Sequence, residues 1–222
     1  MFDITLICTQ HDEKGACNFN QLYQIVERIQ PNVIFEELPP SALEDFYVNK
    51  TRTNLETKTI IAYLEEHQIK HIPVDLDLEL ELSSFIEQNG KLHRRVENNS
   101  YDYQYLVDCN LKYTSQYGFR YLNSEYSIKN WAETYDVIEK TLEKLNDDKL
   151  FQIYKHWNEV IEKREQEMIR NIYQYCHDFV FERGLFFIGA AHRKSMIEKI
   201  KVQFKDSNVT WHYEDYDSLF FE

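Results

Sequence analysis

GLFFIGAAHRKSMIEKIKVQF, residues 184–204, changes its hydrophobic pattern part-way along, and that change decides the fold. Leu185, Phe186, Phe187 and Ile188 make an apolar run of β-favouring residues, as expected of a buried strand. Beyond His192, Met196, Ile197 and Ile200 fall at helical spacing, on what would be the inner side of a helix. Gly189, Ala190 and Ala191 lie between the two patterns with almost no side chain, clearing space beside one imidazole.

The same alternation runs outward from this stretch. FDITLIC (2–8) reads as a first strand, and FNQLYQIVERIQ as a helix with Phe19, Leu22, Ile25, Val26 and Ile29 on one face, ended by Pro31. NVIFEEL (32–38) reads as a second strand stopped by Pro39 and Pro40, Asn54 to Gln68 as a helix, and IKHIPVDL (69–76) as a third strand. GLFFIGA (184–190) is the fourth and NVTWHYED (208–215) the fifth. Residues 77 to about 182 break the rhythm with long helical patterns and almost no Gly or Pro. The expected fold is therefore α/β: a mostly parallel central sheet flanked by helices, with a helical insertion between the third and fourth strands. It is expected to be one domain, 1–222, with the insertion at about 80–150.

Composition narrows the function. The 222 residues are 43% hydrophobic and 15% aromatic, enough for a full core, and no repeat or low-complexity tract is present. A net charge of −13, spread along the chain, repels a phosphate backbone and argues against nucleic acid. MFDITLICTQHDEKG has no basic region ahead of its short apolar run, so neither a signal peptide nor a membrane span is expected, and the expected location is the cytoplasm. Cys8, Cys17, Cys109 and Cys176 show no CxxC spacing and read as free thiols.

The ionisable residues fall at telling places. His11 follows the first strand, Glu37 ends the second, Asp75 the third, and His192 follows the fourth. In an open parallel sheet all carboxyl ends lie on one edge, where such folds bind ligands. Period two in NVIFEEL puts Val33, Phe35 and Glu37 on one face and Ile34, Glu36 and Leu38 on the other, without choosing between the two glutamates. In the helix from Leu150 onward, Trp157, Val160, Ile161, Met168, Ile172, Tyr175 and Phe179 trace an apolar stripe that includes Arg164. An inward guanidinium needs an anion: either a structural ion pair with Glu37 or Asp75, or a bound anion or oxyanion.

Setting LICTQHDEK (6–14) under FIGAAHRKS (187–195) aligns Cys8 with Gly189 and His11 with His192. Two imidazoles with a carboxylate, His11, Glu37 and His192, make a plausible divalent-metal set for Mn, Co or Zn, with positions open for water.

These residues resemble the TraB/Tiki family. GAAH (189–192) is similar to its GxxH motif, and CTQH (8–11) to its first GxxH with Cys in place of Gly. PNVIFEELPP (31–40) resembles a segment whose glutamate falls on Glu37, REQEM (164–168) a later helix with Arg and Met, and IPVD (72–75) a central strand ending in Asp. The ordered set covers most of the chain outside about 80–150. The wider superfamily includes erythromycin-esterase-like enzymes and the haem-binding protein ChaN. The resemblance implies a hydrolase fold, with metal-dependent peptide cleavage in Tiki proteins and ester cleavage in the esterases.

The expected activity is thus hydrolysis of a peptide or ester bond in a small-molecule or peptide substrate, with His11, Glu37, Asp75, Arg164 and His192 as the site. Water would be activated by a metal on His11, His192 and Glu37 or Asp75, with the free carboxylate as base and Arg164 at the oxyanion, or without metal by His11. No GxSxG motif is present. The alternative is a non-catalytic binding or regulatory protein holding haem, a peptide or a protein partner on the same rim. The sequence leaves the oligomeric state open.

Overall fold

The computed structural model describes residues 1–77, 82–202 and 208–213. Five strands, β1 (Phe2–Thr9), β2 (Val33–Glu36), β3 (Lys70–Pro73), β4 (Arg183–Gly189) and β5 (Val209–His212), form one parallel sheet in the order β3-β2-β4-β1-β5. The expected ends of the last helix (203–204) and last strand (214–215) lie outside the described residues. β4 is central, with β1 and β2 on either side, so the turns that follow β1 and β2 converge on the end of β4.

Helices α1 (Phe19–Ile29) and α2 (Leu55–Glu66) connect the first three strands. Asn18 caps α1 by accepting from the Gln21 amide. The chain leaves that helix through Gln30 in the left-handed region, just before Pro31. Asn54 and Thr57 form a reciprocal capping box at the start of α2, which fixes where that helix begins beside the sheet edge.

Between β3 and β4 the chain is helical, in α3 (Leu82–Glu97), α4 (Tyr101–Tyr117), α5 (Phe119–Leu122), α6 (Glu125–Leu145) and α7 (Asp148–Asp178). Leu92, Val96, Ile138, Leu142 and Tyr154 make a small second core among α3, α6 and α7. The main core centres on the sheet: Ile4, Leu6, Ile7, Ile34, Phe35 and Leu185 are fully buried. The lower part of α7 closes it through Met168, Ile169 and Ile172, with Tyr175 edge-on to Phe35 at 5.4 Å. After β4, a single tight turn (Ala190–His192) leads into α8 (Arg193–Val202), whose Met196 and Ile200 are buried.

The apolar stripe read along α7 divides. Its lower residues pack into the core, but Trp157, Val160 and Ile161 line a cleft, and Phe179 is 46% exposed beyond the helix end. The stripe is longer than the sheet it covers, so its upper turns have no strand beneath them. No helix among the described residues is long and apolar enough to cross a membrane. All four cysteines are free thiols.

Candidate functional site

The cleft, about 740 Å³, opens at the carboxyl edge of the sheet and is lined by His11, Glu37, Asp75 and Arg164 together with Phe46, Arg52, Trp157 and Ile161. A larger, shallower groove of about 980 Å³ lies at the other end of the strands, where the charged Lys70 and Glu182 are exposed. Buried Asp75 and the partly buried Glu37 and Arg164 line the first.

Backbone bonds place the carboxylates. The Glu37 amide donates to Phe187 O, carrying the β2–β4 ladder one residue past β2, and the Asp75 amide donates to Leu38 O, tying the turns after β2 and β3 together. Glu37 then lies on the same face as Phe35, towards α7. Arg164 on α7 meets both acids, with Nη2 donating to Glu37 Oε1 at 2.7 Å and to Asp75 Oδ2 at 2.6 Å, and Nε donating to Asp75 Oδ1 at 3.1 Å. Nη1 makes no hydrogen bond among the described residues. The ion pair that Arg164's inward position called for is therefore made with both acids at once.

The other Glu37 oxygen, Oε2, accepts from the Gly189 amide at 2.7 Å, and His192 Nε2 stands 3.4 Å from Oε1. Burial alone would raise the Glu37 pKa, but the His192 imidazolium, Arg164 and the Gly189 amide outweigh it and hold the carboxyl far below the usual range. Asp75 moves the other way: burial and the nearby Glu37 charge raise its pKa despite Arg164.

His192 is buried at the start of α8. Its Nδ1 faces Glu165 Oε1 at 2.6 Å, and Glu165 Oε2 accepts from Ser195 and from Lys199. Burial disfavours the imidazolium, but Glu37 and Glu165 overcome it and push the His192 pKa up to about 10. Both ring nitrogens then carry protons and both face carboxylates.

His11 differs. Its side chain is 63% exposed at the cleft, with Nδ1 3.3 Å from Glu56 Oε1. Glu56, on the first turn of α2, is buried and takes a 2.6 Å hydrogen bond from Thr9 Oγ1. The hydrogen bond to Glu56 raises the His11 pKa to about 9, with Glu37 and Asp12 adding to it against partial burial. Nε2 makes no hydrogen bond among the described residues.

The structure thus joins Glu37, Asp75, Arg164 and His192 in one bonded network and leaves His11 at its edge with a carboxylate of its own. The metal trio His11, Glu37 and His192 does not converge. Among the described residues the one His/Cys/Asp/Glu set whose ligand atoms lie within 4.8 Å of each other is Glu27, Glu66 and His67, away from the cleft. The expected donors are also engaged elsewhere, since both His192 ring nitrogens face carboxylates and both Glu37 oxygens accept hydrogen bonds.

Glu36 faces the opposite way from Glu37, accepting from Tyr47 and pairing with His71 at 2.9 Å, so the two acids serve different surroundings as strand alternation requires. Cys8 is buried, its Sγ 3.9 Å from Arg193. Burial, opposed only in part by Arg193, pushes its thiol up to about 11, which does not suit a nucleophile.

Sequence patterns missed Glu56, Glu165 and Arg52. A signal existed for Glu165, because it falls between Ile161 and Met168 at helical spacing, inside the apolar stripe. Glu56 and Arg52 carried none. Comparisons of the chain with family models, with curated proteins and with solved structures find no match.

Proposed function

We propose that this protein hydrolyses an ester or peptide bond in the cleft, with His11 as the base that activates water. The observation that carries this is the His11–Glu56 pair: an imidazole held by one nitrogen on a buried carboxylate, its other nitrogen open, at the mouth of a cleft floored by a fixed guanidinium. The TraB/Tiki resemblance of GAAH, CTQH and REQEM supports the same reaction class.

The steps follow from those groups. Neutral His11 keeps its Nδ1 proton on Glu56, and Nε2 takes a proton from water as the water oxygen bonds to the substrate carbonyl carbon. Arg164 Nη1 donates to the oxyanion that develops, while Nε and Nη2 stay on Asp75 and Glu37 and keep the fork fixed. The tetrahedral intermediate then collapses, the C–O or C–N bond breaks, and the leaving group receives the proton from His11. His192, Glu165 and Lys199 hold Glu37 in place. No step passes through a metal, because the three expected ligands do not fit one.

His11 must be neutral to act, so with its pKa near 9 the rate rises with pH and levels off above about 9. The test is hydrolysis of a panel of aryl esters and short peptides, before and after chelation, by wild type and His11→Gln. The expected result is turnover that survives chelation and falls on the order of a hundredfold in the variant. Turnover that is lost on chelation and restored by Mn, Co or Zn would overturn the metal-free step. Full activity in His11→Gln would remove the base. Ligand binding with no turnover of any substrate would favour the non-catalytic alternative.

A further inference from the structure

The cleft has two unlike ends. On one side Trp157, Val160 and Ile161, one helical turn of α7, present an apolar wall. On the other, Arg52 lies just ahead of the α2 capping residue Asn54, and its guanidinium rests over the Phe46 ring at 4.8 Å. The charges between the ends are largely used. Arg164 is shared by Glu37 and Asp75, the His192 imidazolium is set between Glu37 and Glu165, and the His11 imidazolium stands against Glu56. Arg52 makes no ion pair among the described residues. Asp45, which also lines the cleft, accepts from the Thr51 hydroxyl at 3.5 Å instead.

A guanidinium stacked on an aromatic ring has its plane fixed while its N–H edge stays available, the arrangement suited to a carboxylate or phosphate. The charge of the anion can be narrowed. A dianionic phosphate would face Asp45, Glu37 and Asp75 across the same cleft, whereas a single negative charge meets less repulsion.

Building on the hydrolase reading, we infer that the substrate is a monocarboxylate with an apolar body, its carboxylate held by Arg52 at the start of α2 and its body lying on Trp157, Val160 and Ile161. The scissile bond then lies between these ends, over Arg164 and beside His11. The net charge of −13 repels anions elsewhere on the surface, so Arg52 gives this mouth a selectivity that the bulk surface lacks.

Binding tests this without turnover. Calorimetric titration at neutral pH would compare 4-phenylbutyrate, its neutral amide and 4-phenylbutylamine, with phenylbutyl phosphate as the dianionic control. The carboxylate is expected to bind about tenfold tighter than the amide, the size of one charge-assisted hydrogen bond at an open site. Arg52→Gln should remove that preference and leave amide affinity unchanged; Trp157→Ala should weaken acid and amide alike. Amide or amine binding as tight as the acid, phosphate binding tighter than the acid, a preference that survives Arg52→Gln, or no binding of any probe at millimolar concentration would each overturn the inference. The hydrolase reading fails separately, since a protein that binds the acid selectively yet cleaves no ester keeps the Arg52 site and loses the reaction.

Discussion

His11 and His192 each place Nδ1 against a glutamate, at 3.3 and 2.6 Å, yet one side chain is 63% exposed and the other 11%. Around His192 every polar atom is answered: Glu165 also holds Ser195 and Lys199, and Glu37 also holds Arg164 and the Gly189 amide. Around His11 the carboxylate is buried but the imidazole is open. The same pair of residue types is a closed structural joint at His192 and, on the mechanism we propose, a base at His11, where one nitrogen faces a cleft. Burial of the imidazole, more than its partner, separates the roles.

The comparison breaks first at Glu165. Replacing it with Ala leaves the His192 imidazolium without its Nδ1 partner in a dry site and takes one of two carboxylates from Lys199. Losing one partner of a buried charged pair costs about 3–5 kcal/mol. Urea denaturation of Glu165→Ala should show a loss of that size; a loss under about 1 kcal/mol, the range for exposed pairs, would put the His192 network on the same footing as a surface bridge.

Glu56 is the sharper test of the other side. In Glu56→Gln the hydrogen bond to His11 survives in neutral form, while the negative charge that favours the imidazolium is gone. The midpoint of the pH–rate profile should fall from about 9 towards the ordinary histidine value of 6.5. A profile still centred near 9 would show that Glu56 does not set the His11 charge.

The histidines also separate by stability against pH. His192 has a folded pKa near 10 and an unfolded value near 6.5, so the folded state binds the extra proton between them. Its contribution is complete below about 6.5, declines as pH rises, and is gone above about 10. The groups facing it are Glu37 from the turn after β2 and Glu165 from α7, both ionised over that window. The wild-type stability curve minus that of His192→Gln should therefore fall between pH 7 and 10; a flat difference would mean that the imidazole is neutral in the folded protein.

Which parts were legible follows from the same contrast. Asp75, His192 and one of the pair Glu36 and Glu37 could be placed from strand ends alone, because a parallel sheet delivers all of its carboxyl ends to one edge. Arg164 could be placed because a charge inside an apolar stripe must find a counter-charge. Glu56 could not, since its burial depends on Thr9 packing over it from 47 residues away and no local pattern records that. The likeness of CTQH to GAAH is one of sequence position, not of sheet register. It pairs Cys8 with Gly189, whereas the β1–β4 ladder sets Cys8 beside Ile188 and Thr9 beside Gly189. Thr9, at the end of β1, donates to Glu56, while the Gly189 amide beside it donates to Glu37.

Gly189 carries the smallest and most revealing prediction. Its φ of −58° and ψ of 138° suit any residue, so glycine is not needed there for backbone freedom. It is needed for room: a Cβ would lie 3.3 Å from Glu37 Oε2 and 3.6 Å from His192 Cδ2. Two effects then oppose each other in Gly189→Ala. Stiffening the unfolded chain stabilises by about 0.4–1 kcal/mol. Crowding a carboxylate fixed on three sides costs about 1–3 kcal/mol, because Glu37 cannot retreat without lengthening its bonds to Arg164 or to the amide it accepts from. Crowding should win, for a net loss of about 1 kcal/mol in chemical denaturation, with a larger loss in Gly189→Val. A gain in stability on adding the methyl group would mean that Glu37 has space to move and that the His192 side of the rim is looser than its bonding implies.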